Sequence, residues 1–208
     1  MTTRLYVIPI SNAAAAGAGM LAHKRIPHRL MRLMPGLHPL LVRFAGFDGF
    51  TAPALELDGT KLQGSRRIAR FLDEVKPDPP LFPAEPERRA RVEEVERWGE
   101  LALQPVPRRL FRYLLLTDEP ARVWLGTEVM QLPAARLLSV PFMPVIRKLA
   151  QISRADESRV SEDIARLPEL LDHVDSRIAD GTIGASEPNA ADFQILASVA
   201  VRRAFADL

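Results

Sequence analysis

The sequence predicts two structural parts, a small α/β domain over residues 1–76 and an all-helical domain over residues 87–208. Strand-like runs and a tight two-residue turn occur only in the first third of the chain, and helical periodicity takes over from Glu87 onward. Between them, residues 76–86 (KPDPPLFPAEP) carry five prolines in eleven positions. That density excludes a helix or an inner strand, so residues 77–86 are predicted to form an interdomain linker.

Composition narrows the class of protein. Hydrophobic content of 47% and charged content of 26% are typical of a soluble globular chain, and 208 residues suffice for a sizeable core. The absence of cysteine excludes disulfides, thiolate metal sites and a cysteine nucleophile. No apolar run approaches the length of about 20 residues that spans a membrane, and the N-terminus lacks the features of a signal peptide. A cytoplasmic location is therefore expected.

The charge pattern bears on the class of partner. Lysine and arginine total 28 against 26 acidic residues, and most of the cations are arginines interleaved with glutamate and aspartate along predicted helices. This pattern favours a solvated, ion-paired surface over a nucleic-acid footprint. Neither a nucleic-acid nor a membrane partner is expected.

The N-terminal elements follow from hydrophobic periodicity. Residues 5–10 (LYVIPI) predict a first strand, and Ser11 or Asn12 can cap a helix of small residues that runs to about Lys24. Residues 28–33 predict a second strand. Strand, helix and strand within some 30 residues indicate a βαβ unit with a parallel pair of strands.

A hairpin and a third helix complete this part. After a connection over residues 36–50, with a short helix expected at 39–44, Leu55 and Leu57 alternate with polar neighbours. Asp58 and Gly59 supply the positive φ angles of a type I′ turn. A helix then opens at residues 64–65 and runs to about Val75. Its N-terminus carries unpaired N–H groups, which suit a carboxylate or phosphate.

The C-terminal part reads as helix throughout. Helices are expected at residues 87–103, with a kink at Pro105 and Pro107, then to 116, and at 121–130, 133–152 and 156–179. Asn189 is predicted to cap the last helix, with Asp192 as the acidic partner of a capping box.

In this order and at these spacings, the segments resemble the cytosolic glutathione transferases. LYVIPIS resembles their first strand and active-site loop, LAHKRIPH the end of the first helix, and TAPAL the strand with the cis-proline. GSRRIARFLDE resembles the helix that follows, PPLFP the entry to the linker, and PNAADFQI the capping box of the core helix. The resemblance covers the whole chain and implies a thioredoxin-like N-terminal domain followed by an all-α domain.

The resemblance assigns a binding site for the thiol substrate. Pro53 matches the cis-proline, and a cis bond there would present the Ala52 main chain to the cysteinyl backbone of glutathione. An ordinary trans proline at the start of a strand is the alternative.

Ser65 lies twelve residues after Pro53, the spacing at which the family places the serine that holds the γ-glutamyl carboxylate. Gly64 departs from the family, which usually has Glu or Gln there, so Gln63 is a candidate substitute. Arg66 in the first helical turn would attract the carboxylate. The alternative is that Ser65 is a plain helix cap and the arginine a solvated charge.

The resemblance also places the catalytic hydroxyl at Ser11, thirteen residues before Lys24. A free thiol has a pKa of about 8.5, and a hydroxyl that donates to the sulfur would lower it. Ser11 would then be a hydrogen-bond donor and the ligand's sulfur the nucleophile. A neighbouring backbone N–H, the Asn12 side chain, or a mere capping role for Ser11 are alternatives. Tyr6 is disfavoured because strand alternation points it away from the cleft.

Weaker candidates complete the site. His38 and Arg43 would meet the glycyl carboxylate of glutathione, or would lie in a solvated loop. The helix that carries Arg108, Arg109, Arg112 and Tyr113 faces the electrophile pocket in this family, but surface charge is the favoured interpretation for most of these residues. The histidines lack the spacing of metal ligands, so no metal site is expected, and no cofactor other than glutathione as co-substrate.

The leading functional hypothesis is a detoxifying transferase that conjugates glutathione, or a related small thiol, to a hydrophobic electrophile. The alternative is a non-catalytic ligand-binding or assembly module with the same fold. Thiol-dependent isomerisation or reductive dehalogenation ranks last, because such reductions often use a cysteine. The resemblance further implies a homodimer.

Overall fold

The computed structural model describes residues 2–206, and for residues 201–206 it describes the backbone alone. Its strands are β1 (Thr3–Val7), β2 (Arg29–Arg32), β3 (Ala54–Leu57) and β4 (Thr60–Gln63). The N-terminal helices are α1 (Asn12–His23), α2 (His38–Phe44) and α3 (Ser65–Val75). The later helices are α4 (Pro86–Trp98), α5 (Pro105–Thr117), α6 (Glu119–Trp124), α7 (Ala135–Leu138), α8 (Met143–Ser153), α9 (Glu157–Ala165), α10 (Leu167–Ala179) and α11 (Ala190–Ala206). An α/β N-terminal part followed by helices alone confirms the predicted fold class.

The sheet has the strand order β2-β1-β3-β4. Strands β1 and β2 are parallel, with Leu5 opposite Leu30, and the other two pairs are antiparallel. Strand β1, helix α1 and strand β2 form the predicted βαβ unit, in which the two strands are parallel. In the β3–β4 turn Asp58 has φ 47° and Gly59 has φ 89°, so the predicted turn with two positive φ angles is present.

Small residues on α1 allow it to lie close to its neighbours. A Cβ added at Gly17 would lie 3.7 Å from Leu5 Cδ2 of the sheet, in ordinary contact. A Cβ added at Gly19 would lie 2.9 Å from Phe193 Cδ1 of α11, which is too close. The alanine- and glycine-rich run after Ser11 therefore serves a tight helix pair between α1 and α11.

Contacts group the chain into two compact units, one made of residues up to 104 with those from 170 onward, the other of residues 105–169. The first unit holds the sheet and helices α1 to α4 and α11; the second holds α5 to α9. The boundaries predicted at residues 76 and 87 follow secondary structure rather than contacts, and they stay a prediction.

The proline-rich segment contains neither helix nor strand between α3 and α4, but it is not loosely attached. Leu81 and Phe82 are buried. The Leu81 N–H donates to Asp73 Oδ1 at 2.7 Å, and its carbonyl accepts from Ala190 N at 2.9 Å. The segment is thereby held between α3 and the start of α11.

Two long predicted helices are in fact divided at prolines. The prediction of one helix over residues 133–152 was wrong, because α7 ends at Leu138 and a separate helix, α8, begins at Met143, next to Pro144. The prediction at 156–179 likewise splits into α9 and α10 ahead of Pro168. Proline lacks the N–H and clashes with the preceding turn, so each begins a helix instead of continuing one.

The predicted kink near Pro105 takes the form of a π-helical segment, Gly99–Leu103, between α4 and α5. The Gln104 N–H donates to Gly99 O at 2.8 Å, five residues back. A bulge of this kind lets the helix register shift where Pro105 offers no N–H.

The last helix has the predicted capping box. Asn189 Oδ1 accepts from the N–H groups of Ala191 and Asp192, at 2.9 and 3.3 Å. Asp192 Oδ2 accepts in return from Asn189 N at 2.8 Å, and Oδ1 from Gly184 N at 2.6 Å. No helix in the described part of the chain combines the length and apolar character needed to cross a bilayer.

Candidate functional site

Ser11 is the N-cap of α1 and is half-buried. Its Oγ accepts a hydrogen bond from Ala14 N at 3.4 Å, and its N–H donates to Ile8 O at 3.1 Å. A hydroxyl has one hydrogen to donate in addition to its two acceptor positions. The cap uses an acceptor position, and no contact among residues 2–200 uses the hydrogen. Ser11 therefore caps the helix and can also donate a hydrogen bond to a sulfur atom placed at the helix N-terminus.

The backbone that delivers Ser11 is unusual. Ile10 has φ 62°, a left-handed conformation that a β-branched residue rarely adopts. Such a conformation costs about 1–2 kcal/mol for an L-residue, so the surrounding contacts hold this turn in place. Nothing in the sequence alone indicates this conformation, because isoleucine favours extended backbone.

Asn12, a predicted ligand contact, is turned into the interior. Its side chain is buried, and Nδ2 donates to Gln104 O at 3.2 Å and to Ser198 Oγ at 3.4 Å. The amide thus joins α1 to the residue directly before α5 and to α11. Its donors are used within the protein, so the prediction of a ligand contact by this side chain is not supported.

The Ala52–Pro53 peptide bond is cis, as predicted. Pro53 is buried against α1, where its Cβ lies 3.8 Å from a Cβ placed on Gly17. The Pro53 carbonyl accepts from Gly64 N at 2.9 Å. The fold thereby brings Pro53, Gly64 and helix α1 together.

Gln63, the proposed substitute for a missing glutamate, is engaged in its own loop. Its Nε2 donates to Thr51 O at 2.7 Å, and its Oε1 accepts from Gly49 N at 2.7 Å. The side chain fixes the loop that leads into Pro53. Contact of Gln63 with a ligand stays a prediction, and in the structure its side chain supports the loop.

Gly64 has φ 89°, a conformation that suits glycine and strains other residues. A glutamate in this conformation would be strained whatever the space around it. No side chain caps α3, so the N–H groups of its first turn lack a side-chain acceptor. An added Cβ at Gly64 would meet no atom within 4 Å, so the approach is open.

Ser65 differs from its predicted role. It is 3% exposed, and its Oγ donates to Gln194 Oε1 at 3.0 Å. Its single hydrogen is therefore used inside the protein rather than on a ligand. A carboxylate at α3 would meet the main-chain N–H groups instead.

Arg66 likewise points to acidic partners rather than to the N-terminus of α3. Its Nε lies 3.2 Å from Glu96 Oε2 and its Nη1 3.4 Å from Glu100 Oε2. Arg70 Nη1 also pairs with Glu96, at 2.9 Å. Burial raises the pKa of Glu96, and the two guanidinium groups oppose this rise. The predicted attraction of a ligand carboxylate by Arg66 is thus not supported.

The remaining predicted contacts lie on α2. His38 is the first residue of this helix and is half-buried. Arg43 Nη1 donates to Phe47 O at 2.7 Å and to Asp48 O at 2.9 Å, which orders the loop after α2. Contact of either residue with a glycyl carboxylate stays a prediction.

In the second unit, two of the arginines named on α5 have distinct surroundings. Arg109 pairs with Asp163 of α9, with Nη2 2.7 Å from Oδ1. Arg112 Nη1 donates to Leu149 O at 3.2 Å, and burial, with the nearby charge of Arg108, lowers its pKa to about 10. The described residues contain no group of three or more His, Asp or Glu arranged to hold a metal.

A buried polar network on α11 was missed by sequence reasoning. Gln194 accepts from Ser65 through Oε1, and its carbonyl accepts from Ser198 Oγ at 3.0 Å. Ser198 in turn accepts from Asn12 at 3.4 Å. The network links the N-termini of α1 and α3, and the signal for it is two polar residues, four apart, on the buried face of an apolar helix.

The match to a known protein family covers the N-terminal part of the chain. Residues 5–80 match the family model for the glutathione S-transferase N-terminal domain. No curated protein matches the chain in sequence. Similar solved structures cover nearly all of it at low identity, which establishes the fold.

Three of these structures illustrate the range. A glutathione S-transferase from Xanthobacter autotrophicus Py2 is 20% identical, with 100% of this chain and 85% of that chain covered and a TM-score of 0.63. FzlA from C. crescentus is 19% identical, with 100% and 81% covered and a TM-score of 0.59. The β-etherase LigF from Sphingobium sp. strain SYK-6 is 16% identical, with 96% and 83% covered and a TM-score of 0.68.

Proposed function

Because residues 5–80 match the family model for the glutathione S-transferase N-terminal domain and the chain has the glutathione S-transferase fold, we propose that the protein conjugates a small thiol to electrophiles. The thiol is glutathione or a related low-molecular-weight thiol, and it is a co-substrate. The second substrate is a hydrophobic electrophile, and the biological outcome is detoxification. No further cofactor enters the reaction.

The observation that carries this proposal is the Ser11 hydroxyl at the N-terminus of α1. Its oxygen accepts from Ala14 N, and its hydrogen is left for an acceptor outside the helix. A donor and a positive helix end both stabilise a thiolate over a thiol, so they lower the thiol pKa from about 8.5 toward neutral pH. The thiol proton passes to solvent, and the thiolate attacks the electrophilic carbon, forming a C–S bond as the leaving group, a halide in the case of an aryl halide, departs.

The rest of the thiol lies along main-chain groups in this proposal. The Ala52 main chain pairs with the cysteinyl backbone of the thiol as an added strand. The γ-glutamyl carboxylate lies at the N-terminus of α3, whose first turn lacks a side-chain cap. This assignment replaces the Ser65 hydroxyl, which is bonded to Gln194.

Three variants of Ser11 test the catalytic role. Ser11→Ala removes both the cap and the donor, Ser11→Asp keeps a cap but has no hydroxyl, and Ser11→Thr keeps both. We expect thiol–aryl-halide turnover to fall at least tenfold in the first two and to stay within a few-fold of wild type in the third. Ser161→Ala on α9 is the matched serine control. Loss of stability in Ser11→Ala with unchanged turnover would reduce Ser11 to a helix cap.

A second candidate function is a ligand-binding or assembly module without transferase activity. The internal bonds of Asn12, Gln63, Ser65 and Arg66 favour it, because they remove four side chains from ligand binding. Isothermal titration with glutathione separates the two functions. A folded protein that binds no glutathione, and that turns over neither glutathione nor another small thiol, would favour the module.

The proposal includes a cytoplasmic homodimer. The chain has no cysteine and so needs no oxidising compartment, and the family resemblance implies pairing of two copies. Sedimentation equilibrium measures the mass. A monomer at micromolar concentration would contradict the homodimer without affecting the role of Ser11.

A further inference from the structure

Helix α2 presents apolar side chains to solvent rather than to the core. Leu37, Leu40, Leu41 and Phe44 are 49%, 58%, 39% and 87% exposed. Their spacing of three, four and seven residues places them on one helix face. Together with Phe50, which is 58% exposed, we call these residues the α2 ridge.

The opposite face of α2 is already packed. Val42 is fully buried in a cluster with Leu33, Phe47 and Ala54. One buried valine anchors a seven-residue helix, while three larger apolar side chains of the helix, and Leu37 at its N-cap, are exposed. An amphipathic helix normally buries its larger apolar face, so this arrangement indicates a surface that contacts something apolar.

Cations flank the α2 ridge. Arg43 lies over the Phe50 ring, with Cζ 5.7 Å from the ring centroid. Lys61 Nζ donates to Ala45 O at 2.5 Å, next to Phe44 in the chain. Arg29 is exposed on edge strand β2 opposite Arg4, and so shares a sheet face with Tyr6, which packs against the cluster that contains Val42 of α2.

Acidic residues are scarce in this region. Residues 1–47 contain six lysines and arginines and no aspartate or glutamate. The first acidic residue, Asp48, is exposed in the loop after α2, and Glu56 of β3 is paired with Arg4 at 3.3 Å. Beside the ridge, Arg43 and Lys61 thus stand against the acidic side chain of Asp48, and the complement of this charge is an anionic surface.

From the apolar ridge and its cations we infer that α2 docks this protein on an anionic lipid surface. Helix α2 is only about 10 Å long, whereas a stable protein interface buries about 800 Å² on each partner. The ridge by itself is too small for such an interface. It suits the boundary of a bilayer, where an apolar face enters by about 5–10 Å and cations meet the headgroups. This inference departs from the sequence prediction of no membrane partner, and it is independent of the transferase proposal.

The test is co-sedimentation of the full chain with phosphatidylcholine vesicles, with and without phosphatidylglycerol. We expect binding to the anionic vesicles alone, weakened several-fold at high salt. Phe44→Ser should weaken it about tenfold, since it removes an exposed aromatic side chain that the bilayer would bury. Leu137→Ser, a change at an exposed leucine of α7, is the control and should bind as wild type does.

The contribution of charge to vesicle binding is tested by a matched pair of arginine variants. Arg29→Gln should weaken vesicle binding about fivefold, in line with the effect of one basic residue near an anionic membrane. Arg147→Gln, a change at an exposed arginine of α8, should leave it unchanged. Leu40→Ser gives a second test of the ridge should Phe44→Ser fail to fold.

Three outcomes would overturn the inference. They are no binding of wild type to anionic vesicles, equal binding of neutral and anionic vesicles, and wild-type binding by both folded ridge variants. A change in the sedimentation mass of Phe44→Ser would also overturn it, because it would assign the α2 ridge to contact with a second copy.

Discussion

Lys24 Nζ and Asp73 Oδ1 form a 2.7 Å ion pair in which the lysine side chain is fully buried. The ammonium also donates to the carbonyls of Lys76 and Pro77, at 2.7 and 3.3 Å, so each of its three hydrogens has an acceptor. Asp73 in turn accepts from Leu81 N. One ion pair therefore joins the end of α1, the end of α3 and the proline-rich segment.

Removal of this lysine should destabilise the protein strongly. Lys24→Met leaves the carboxylate with a backbone donor alone, and breaking a buried pair in this way costs about 3–5 kcal/mol. Urea unfolding measures the loss. Arg159→Met, which breaks an exposed pair with Glu162, is the control and should cost under about 1 kcal/mol. Similar losses in the two variants would show that burial of Lys24 does not matter.

Glu96 should give stability a distinct pH dependence. Burial raises its pKa above the ordinary 4.5, so the folded chain holds this proton more tightly than the unfolded chain. Wild-type stability relative to Glu96→Gln should then fall as pH rises above 4.5 and level off beyond the raised pKa. Urea unfolding at several pH values measures this difference. Glu94→Gln, a change at an exposed neighbour, should show no such trend.

Much of the fold could be predicted because its signals are local. Turn chemistry at Asp58 and Gly59 and the capping box at Asn189 depend on residues within three positions of each other, and both are present. Hydrophobic periodicity predicted the βαβ unit for the same reason. It did not place the ends of the helices near Pro144 and Pro168, where apolar spacing continues across the break.

The candidate site was less predictable because its side chains choose partners far away in sequence. Ser65 is 129 residues from Gln194, and Asn12 is 186 residues from Ser198. Serine and asparagine side chains can form hydrogen bonds to a ligand or within a buried network equally well. The backbone features, namely the cis bond before Pro53 and the open helix end after Gly64, follow from local conformation, and the resemblance supplied the first of them.

The Ser65–Gln194 bond should be visible in a double-mutant cycle. Ser65→Ala leaves Gln194 Oε1 buried without its donor, at a cost of about 1–3 kcal/mol. Gln194 Nε2 already lacks a partner among the described residues, so Gln194→Leu removes two unsatisfied groups in the Ser65→Ala background.

The double variant should therefore be more stable than Ser65→Ala alone, by thermal and urea unfolding. Ser153→Ala is the control for loss of a hydroxyl that bonds only to its own helix, and it should cost under about 0.5 kcal/mol. Strict additivity of the two substitutions would contradict the bond.

Two arginines three residues apart on α5 should respond to the same substitution in opposite directions. Arg109 holds the buried Asp163 by two hydrogen bonds, so Arg109→Met leaves a buried carboxylate unpaired and should cost about 3–5 kcal/mol. Arg112 donates to one carbonyl, and burial lowers its pKa to about 10. A lowered pKa means that folding disfavours the charged form at every pH below 10, so Arg112→Met removes that cost and should raise the melting temperature by a few degrees. The two variants serve as each other's control in one thermal unfolding experiment, and equal losses would contradict the difference in their surroundings.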